Sequence, residues 1–353
     1  MKSLVRQGVV LTGTGSAVPD SYLDNHQLNQ IVVTSDDWIQ SRTGIHRRHL
    51  LPPKNSLTNM AAEAAQKAIA MAGIAAQDID LIILATSTPD DLFGNASQIQ
   101  ARLGATQAVA FDLTAACSGF VFGLVTAAQF MRAGTYQNVL LIGAEVLSRW
   151  VDWSDRRTCV LFGDGAGAVV LQASEHDCLL GFQLHTDGMQ NQYLKLDFQE
   201  SEKVLVDNVS IGQGTYKPIS MNGQEVYRFA VQKVPEVIEK ALFRAGLDVE
   251  QIDWLLMHQA NQRILDAVAQ RLGISDEKII SNLANYGNTS AASIPLALDE
   301  AVRRGQIKPH DVVAFAGFGA GLSWGAAIFE WGSLNDFINE GRRQEAGGRR
   351  PFL

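Results

Sequence analysis

The sequence predicts an α/β protein built from two similar halves, each a mainly parallel sheet with helices on its faces. Three observations carry this reading. The runs LIILAT, VLLIGAE, WLLMHQ and VVAFAG are continuously apolar rather than alternating, as strands buried on both faces are. Helical stretches lie between them and stop at Ala-Gly or Arg-Gly, which puts helices over the sheets. The chain also repeats itself. AMAGIAAQDIDLIILAT (residues 70–86) lies over FRAGLDVEQIDWLLMHQ (residues 243–259) at an offset of 173, pairing Gly73 with Gly246 and Asp80 with Asp253. RAGTYQNVLLIGAE from Arg132 then lies over RRGQIKPHDVVAFAG from Arg303, at 171 near the glycines and 173 in the strands. Two matches in the same order favour a duplicated plan, with one half at 1–176 and the other at 177–333.

With 353 residues, 46% of them hydrophobic, the chain can bury a large core of about two domains. A net charge of -8 without a long Lys or Arg run argues against nucleic acid as a partner. MKSLVRQGVVLTGTG is too short in apolar residues for a signal segment, and no run reaches the length of a membrane span, so the expected location is cytoplasmic with no membrane partner. Cys117, Cys159 and Cys178 are an odd number without C-x-x-C spacing, which fits neither a disulfide framework nor a zinc site.

Taken along the chain, GTGSAV from Gly13 lacks the third glycine of a dinucleotide fingerprint, and nothing matches a P-loop. DLTAACSGF places Cys117 after an apolar run and at the head of a buried helix, SGFVFGLVTAAQFMRAG, that ends at Gly134. A helix N-terminus favours thiolate over thiol, although a free cysteine among small residues is also a common buried filler. FGDGAGAVVL from Phe162 runs into a strand, so its glycines serve packing.

His258 ends the strand WLLMH, and Asn288, in LANYGNTSAASIPLAL, falls on Cys117 at the offset of 171. Each alone is an ordinary core histidine or helix cap. Together, the three residues are expected at or just beyond the C-terminal ends of strands, where open α/β sheets hold ligands. AGFGAGLSWGAAIFEW from Ala316 reads as two strands joined by a tight turn whose N–H groups can approach a ligand. The last stretch, 334–353, is Arg- and Gly-rich and reads as a flexible tail.

With DLTAACSGF, HQAN, NYGNTSAASIP and GAGLSWG assembled in that order, the sequence resembles the β-ketoacyl-acyl carrier protein synthase III family of thiolase-like condensing enzymes, over residues 8 to 332. The resemblance implies a five-layered α-β-α-β-α fold, a homodimer, and a catalytic Cys117, His258 and Asn288. It implies a decarboxylating condensation of an acyl-CoA primer, acetyl-CoA first, with malonyl-acyl carrier protein. Coenzyme A thioester and carrier phosphopantetheine are then substrates, and there is no further cofactor or metal.

By the same resemblance, TSDDWIQSRTGI holds the nucleotide end of coenzyme A through Thr34, Trp38 and Arg42, with Arg156 as the second face of an adenine stack. Met221 and Arg228, in MNGQEVYRFAVQKV, and Asn261 and Arg263, in HQANQ, line the pantetheine tunnel or meet phosphates. Lys233, Lys240 and Arg244 share one helical face, which is either a docking stripe or a solvated face. Phe93 reaches across the dimer to close the acyl pocket. Ala320 supplies a backbone donor where the family's turn carries a central glycine. A cysteine hydrolase, an acyl-CoA binding protein and a synthase using another primer remain as rival readings.

Overall fold

In the computed structural model, which describes residues 7–332 and Asp336, the apolar runs form two sheets that follow one plan. The first is ordered Gly8–Ala17, Asp164–Ser174, Asn138–Val146, Leu81–Ala85, Val109–Leu113, with the first two pairings antiparallel and the last two parallel. The second is ordered Leu179–Thr186, Ser323–Glu330, Val312–Gly319, Trp254–Met257, antiparallel twice and then parallel. Ile279 bridges Leu255 in parallel, at the place of the fifth strand of the first sheet.

Both faces of each sheet are covered, which is why the strands read as unbroken apolar runs. Leu81 and Ile83 turn inward to a central core that also holds Phe120, Ile294 and Phe315, while Ile82 and Leu84 join a separate outer core with Leu57 and Ile69. Helices Gly119–Arg132 and Ser293–Arg303 pack against strands of both sheets and form the middle layer. Leu57–Ala72 covers the far side of the first sheet, and Gly223–Ala245 with Gln262–Leu272 covers the far side of the second. The result is five layers, helix, sheet, helix, sheet, helix.

The repeat holds in detail. Gly73 and Gly246 both end helices in the left-handed conformation, at φ 69° and 70°. Asp80 accepts from the Asn138 N–H and Asp253 from the Val312 N–H, tying adjacent strands in the same way. These pairs correct the alignment. Asn138 matches Val312 at 174, one residue from the offset of 173 expected in that strand.

Around Cys117 the correction is larger. The turn Ala116–Ser118 matches Ser290–Ala292, with left-handed Ala116 (φ 46°) and Ser290 (φ 51°) as equivalents, so Cys117 corresponds to Ala291 and not to Asn288. The offset of 171 applies only past the middle helix, which has 14 residues in the first half and 11 in the second. The tail expected at 334–353 lies, apart from Asp336, outside the described residues. Among the described residues no helix is long and apolar enough to cross a membrane.

Candidate active site

Cys117 sits in the turn that opens the helix Gly119–Arg132 and is 7% exposed. Burial pushes its thiol up to about 12, helped by the nearby Glu145, while a hydrogen bond with Ser290 acts in the opposite direction. Desolvation is the largest of these influences, and it favours the protonated thiol over the thiolate expected from a helix N-terminus.

His258 follows the strand Trp254–Met257, and its N–H donates to the Ala316 carbonyl at 2.8 Å. Its ring packs edge-on against Phe318, with centroids 5.2 Å apart. Nδ1 lies 2.7 Å from the Ser293 hydroxyl, which accepts from the Gln259 N–H at 3.3 Å. Among the described residues the ring nitrogen is the other partner of that hydroxyl. Ser293 thus donates to Nδ1, and the ring proton lies on Nε2. Burial holds the ring well below the usual histidine range, at about 3, so it is a neutral Nε2–H donor.

Asn288 is fixed by its backbone, which donates to the Leu161 carbonyl at 2.8 Å and accepts from Gly163 at 3.0 Å. Its side-chain oxygen accepts from the Ser290 N–H at 2.9 Å. The oxygen is engaged, so the amide NH2 is the group left to face the cavity.

Cys117, His258 and Asn288 line one cavity of about 920 Å³ together with Phe318 and Gly319. A Cβ at Gly319 would stand 2.7 Å from the Cys117 Cβ and 2.9 Å from its N, so glycine is required for the strand to pass the cysteine. The neighbouring turn takes its positive φ, 131°, at Gly321. Ala320 is not among the non-glycine residues with positive φ, and alanine therefore fits where the family's turn has glycine. On its other side Cys117 borders a cavity of about 450 Å³ walled by Leu147, Trp150, Leu196, Tyr216 and Ile219, with Ala320 at its edge. Cys117, Phe162 and Leu194 line both cavities.

The larger cavity extends outward past Met221, Arg228, Arg42, Asn261 and Arg263. The Asn261 side chain binds this rim together, its NH2 donating to the Arg42 carbonyl at 3.0 Å and its oxygen accepting from the Arg263 N–H at 2.9 Å. Arg263 stacks over Tyr227 at 5.6 Å, and Arg228 pairs with Glu225 at 2.6 Å.

Other expected residues stand apart. Trp38 and Arg156 meet directly, 5.0 Å from guanidinium carbon to ring centroid. A flat base needs about 3.5 Å on each side, so none fits between them as they stand. Among the described residues the buried Thr34 hydroxyl has no hydrogen-bond partner. Phe93, 99% exposed, lines a separate cavity with Leu92 and Asp112 and does not border Cys117 within this chain. Lys240 and Arg244 flank Phe243 in another surface depression, separate from the cavity that holds Arg228 and Arg263.

Four participants were not foreseen: Arg157 and Tyr227 in the outer cavity, Ser290 at Cys117, and Glu145 behind it. Arg157 adjoins a residue that the motif did mark. Glu145 ends an apolar strand, and nothing local distinguishes it from a solvated end.

A nucleophile at a helix head between two duplicated sheets, with two polar donors in the same cleft, defines a thiolase-like condensing enzyme. Family models described as 3-oxoacyl-[acyl-carrier-protein (ACP)] synthase III and its C-terminal part match residues 111–188 and 242–331. A β-ketoacyl-[acyl-carrier-protein] synthase III of Nostoc sp. is 71% identical over 92% of this chain and 98% of its own length. That of Synechococcus elongatus is 65% identical over 93% and 98%. The crystal structure of 3-oxoacyl-[acyl-carrier-protein] synthase III from Aquifex aeolicus VF5 superposes with a TM-score of 0.84 at 42% identity, covering 92% of this chain and all of that one. The chain belongs to the β-ketoacyl-acyl carrier protein synthase III family, acyltransferases that carry out the initiating condensation of fatty acid synthesis.

Proposed function

We propose that Cys117 takes an acyl group from acyl-CoA and that malonyl-acyl carrier protein then enters the same cleft, loses carbon dioxide and attacks the acyl-cysteine. The observation that carries this is the pairing of two neutral donors, His258 Nε2–H and the Asn288 amide, in one cavity with the cysteine. Decarboxylation of a malonyl thioester puts negative charge on the thioester oxygen, and fixed donors aimed at that oxygen stabilise the enolate. The N–H groups of Cys117 and Ala320 serve the oxyanion of the acylation step. A Cys-His hydrolase uses its histidine as the base that activates water, and a histidine held near 3 with its Nε2 already protonated is unsuited to that role.

The outer cavity takes the pantetheine arm, with Met221 and Asn261 along it and Arg42, Arg228 and Arg263 toward phosphate groups. Thr34, Trp38 and Arg156 hold the nucleotide end. Because Trp38 and Arg156 touch, the base lies on one face of the pair, or Arg156, exposed and hydrogen-bonded only weakly to the Val33 carbonyl at 3.4 Å, swings aside. Trp38→Ala is expected to raise KM for acyl-CoA roughly tenfold with little change in kcat, a loss of about 1–2 kcal/mol of contact with the base. An unchanged KM would remove Trp38 from the site.

The protein acts as a homodimer in the cytoplasm, with no nucleic acid or membrane partner. Leu92 and Phe93, 81% and 99% exposed, support a second copy covering this edge and narrowing the apolar cavity from outside. Three free cysteines suit a reducing compartment. The primer is acetyl-CoA. A second reading, a longer or branched primer, is favoured by the 450 Å³ apolar volume behind Cys117. Incubating the protein with acetyl-, butyryl- or isobutyryl-CoA and malonyl-acyl carrier protein tests both. A 3-ketoacyl-carrier product with matching carbon dioxide release is expected, fastest with acetyl-CoA, whereas acyl-CoA hydrolysis without product would contradict the proposal.

A further inference from the structure

Behind Cys117 lies a carboxylate for which the proposed chemistry has no use. Glu145 is fully buried at the end of the strand Asn138–Val146. Thr88 donates to it at 2.6 Å, Ser87 N–H at 3.1 and 3.2 Å, Thr86 at 3.4 Å and the Ser290 hydroxyl at 3.0 Å. The Thr88 hydroxyl itself accepts from the Val146 N–H, so its proton points at the carboxylate. No cation pairs with Glu145 among the described residues. A buried carboxylate held only by neutral donors is costly for stability, and such groups concentrate at functional sites.

Ser290 connects it to the nucleophile. It lines the same cavity as Cys117 and acts on the thiol, its hydroxyl donates to Glu145 at 3.0 Å, and it occupies the left-handed conformation (φ 51°) that non-glycine residues seldom adopt. Three side chains thus form a file: thiol, hydroxyl, carboxylate. His258, the usual candidate for the thiol proton, already carries hydrogen on the nitrogen that faces the cavity.

We propose that Glu145 receives the Cys117 thiol proton through the Ser290 hydroxyl as the sulfur attacks the acyl thioester. The S–H proton moves to the Ser290 oxygen while the Ser290 proton moves to Glu145. The Cys117 sulfur bonds the acyl carbon, the bond from that carbon to the coenzyme A sulfur breaks, and the proton returns through Ser290 to the departing thiolate. Acyl-CoA and thiol become acyl-enzyme and coenzyme A, with no other reactant. Burial raises the Glu145 carboxyl to about 7, against the pull of its donors, so it can hold a proton transiently at physiological pH. The groups facing it are Thr86, Ser87 and Thr88 from the adjoining loop, Ser290 from the second half, and the Cys117 thiol as its titratable neighbour. Across the sheet it stands opposite Gly165, and the adjacent Asp164, on the other face of its strand, is engaged by Ser148 and Leu51.

The proposal rests on Cys117 as nucleophile, and the test separates the two. Rapid-quench acylation by acetyl-CoA, read as intact mass between pH 5.5 and 9, is expected to rise through about pH 7 and level off, because the base is the deprotonated carboxylate. Glu145→Gln should acylate about a hundredfold more slowly at pH 8 and lose that inflection. Ser290→Ala, which leaves the carboxylate in place, should do the same, and Glu145→Asp should recover part of the rate. Variants loaded by long incubation should decarboxylate malonyl-acyl carrier protein at close to the wild-type rate. Wild-type acylation and inflection in Glu145→Gln or Ser290→Ala would overturn the relay, as would an equal fall in both half-reactions with a lowered Tm. Failure of the wild-type enzyme to acylate would overturn the nucleophile as well.

Discussion

Asn288→Ala is expected to slow decarboxylation of malonyl-acyl carrier protein by roughly 10² to 10³-fold while acylation of Cys117 stays within a fewfold of wild type. The backbone at 288 is held by Leu161 and Gly163, so the substitution removes the amide donor, and the loss of the acceptor for the buried Ser290 N–H is expected to lower stability by about 1–3 kcal/mol. Asn288→Asp should be worse than alanine, since a carboxylate beside a forming enolate repels it. His258→Ala should show the same split between half-reactions, with some loss of stability from the vacated space beside Phe318. Pre-steady-state acylation and release of labelled carbon dioxide, measured separately, check this. Equal losses in both steps would contradict the assigned roles.

Gly319→Ala is expected to damage the first step instead. The added methyl would stand 2.7 Å from the Cys117 Cβ, closer than carbon atoms tolerate, and 3.2 Å from its sulfur. The strand Val312–Gly319 is fixed on both sides by its neighbours, so the cysteine must yield. A displacement near 1 Å costs about a hundredfold in a reaction that depends on position, and overpacking of this kind costs about 1–3 kcal/mol in stability. The acylation rate should fall by that factor in a variant that still melts cooperatively. Wild-type acylation would mean that the cysteine has room the structure does not allow.

Much of the fold was legible because burial on both sheet faces leaves a plain mark. LIILAT and VVAFAG have no polar alternation, and Gly73 and Gly246 stop their helices in the same way. The repeat misled only where its halves differ in length. Three fewer residues in the helix Ser293–Arg303 put Asn288 opposite Cys117 on paper, while the folded turns pair Ala291 with it. The hairpin of Phe198–Val206 and Val209–Tyr216 is exposed throughout and so has no apolar period to reveal it.

The site was legible in parts. His258 directly follows its strand, Cys117 lies in the turn beyond Leu113 and Asn288 follows the short helix Leu283–Tyr286, so only part of the expected strand-end placement appears, and the cleft still gathers all three. The protonation states were not legible. A helix head argues for thiolate, but the burial that pushes Cys117 up to about 12 includes Gly319, Ser290 and Ala320 from the other half. Glu145 and Ser290 are 145 residues apart, and their hydrogen bond is a product of tertiary packing.

The most direct measurement is intact-protein mass with peptide mapping after exposure to acetyl-CoA, followed by a malonyl-acyl carrier protein chase. An acetyl group on Cys117 that the chase removes as 3-ketoacyl-carrier product is the predicted result. A folded protein whose Cys117 stays unmodified, or whose adduct is lost only to water, would contradict it.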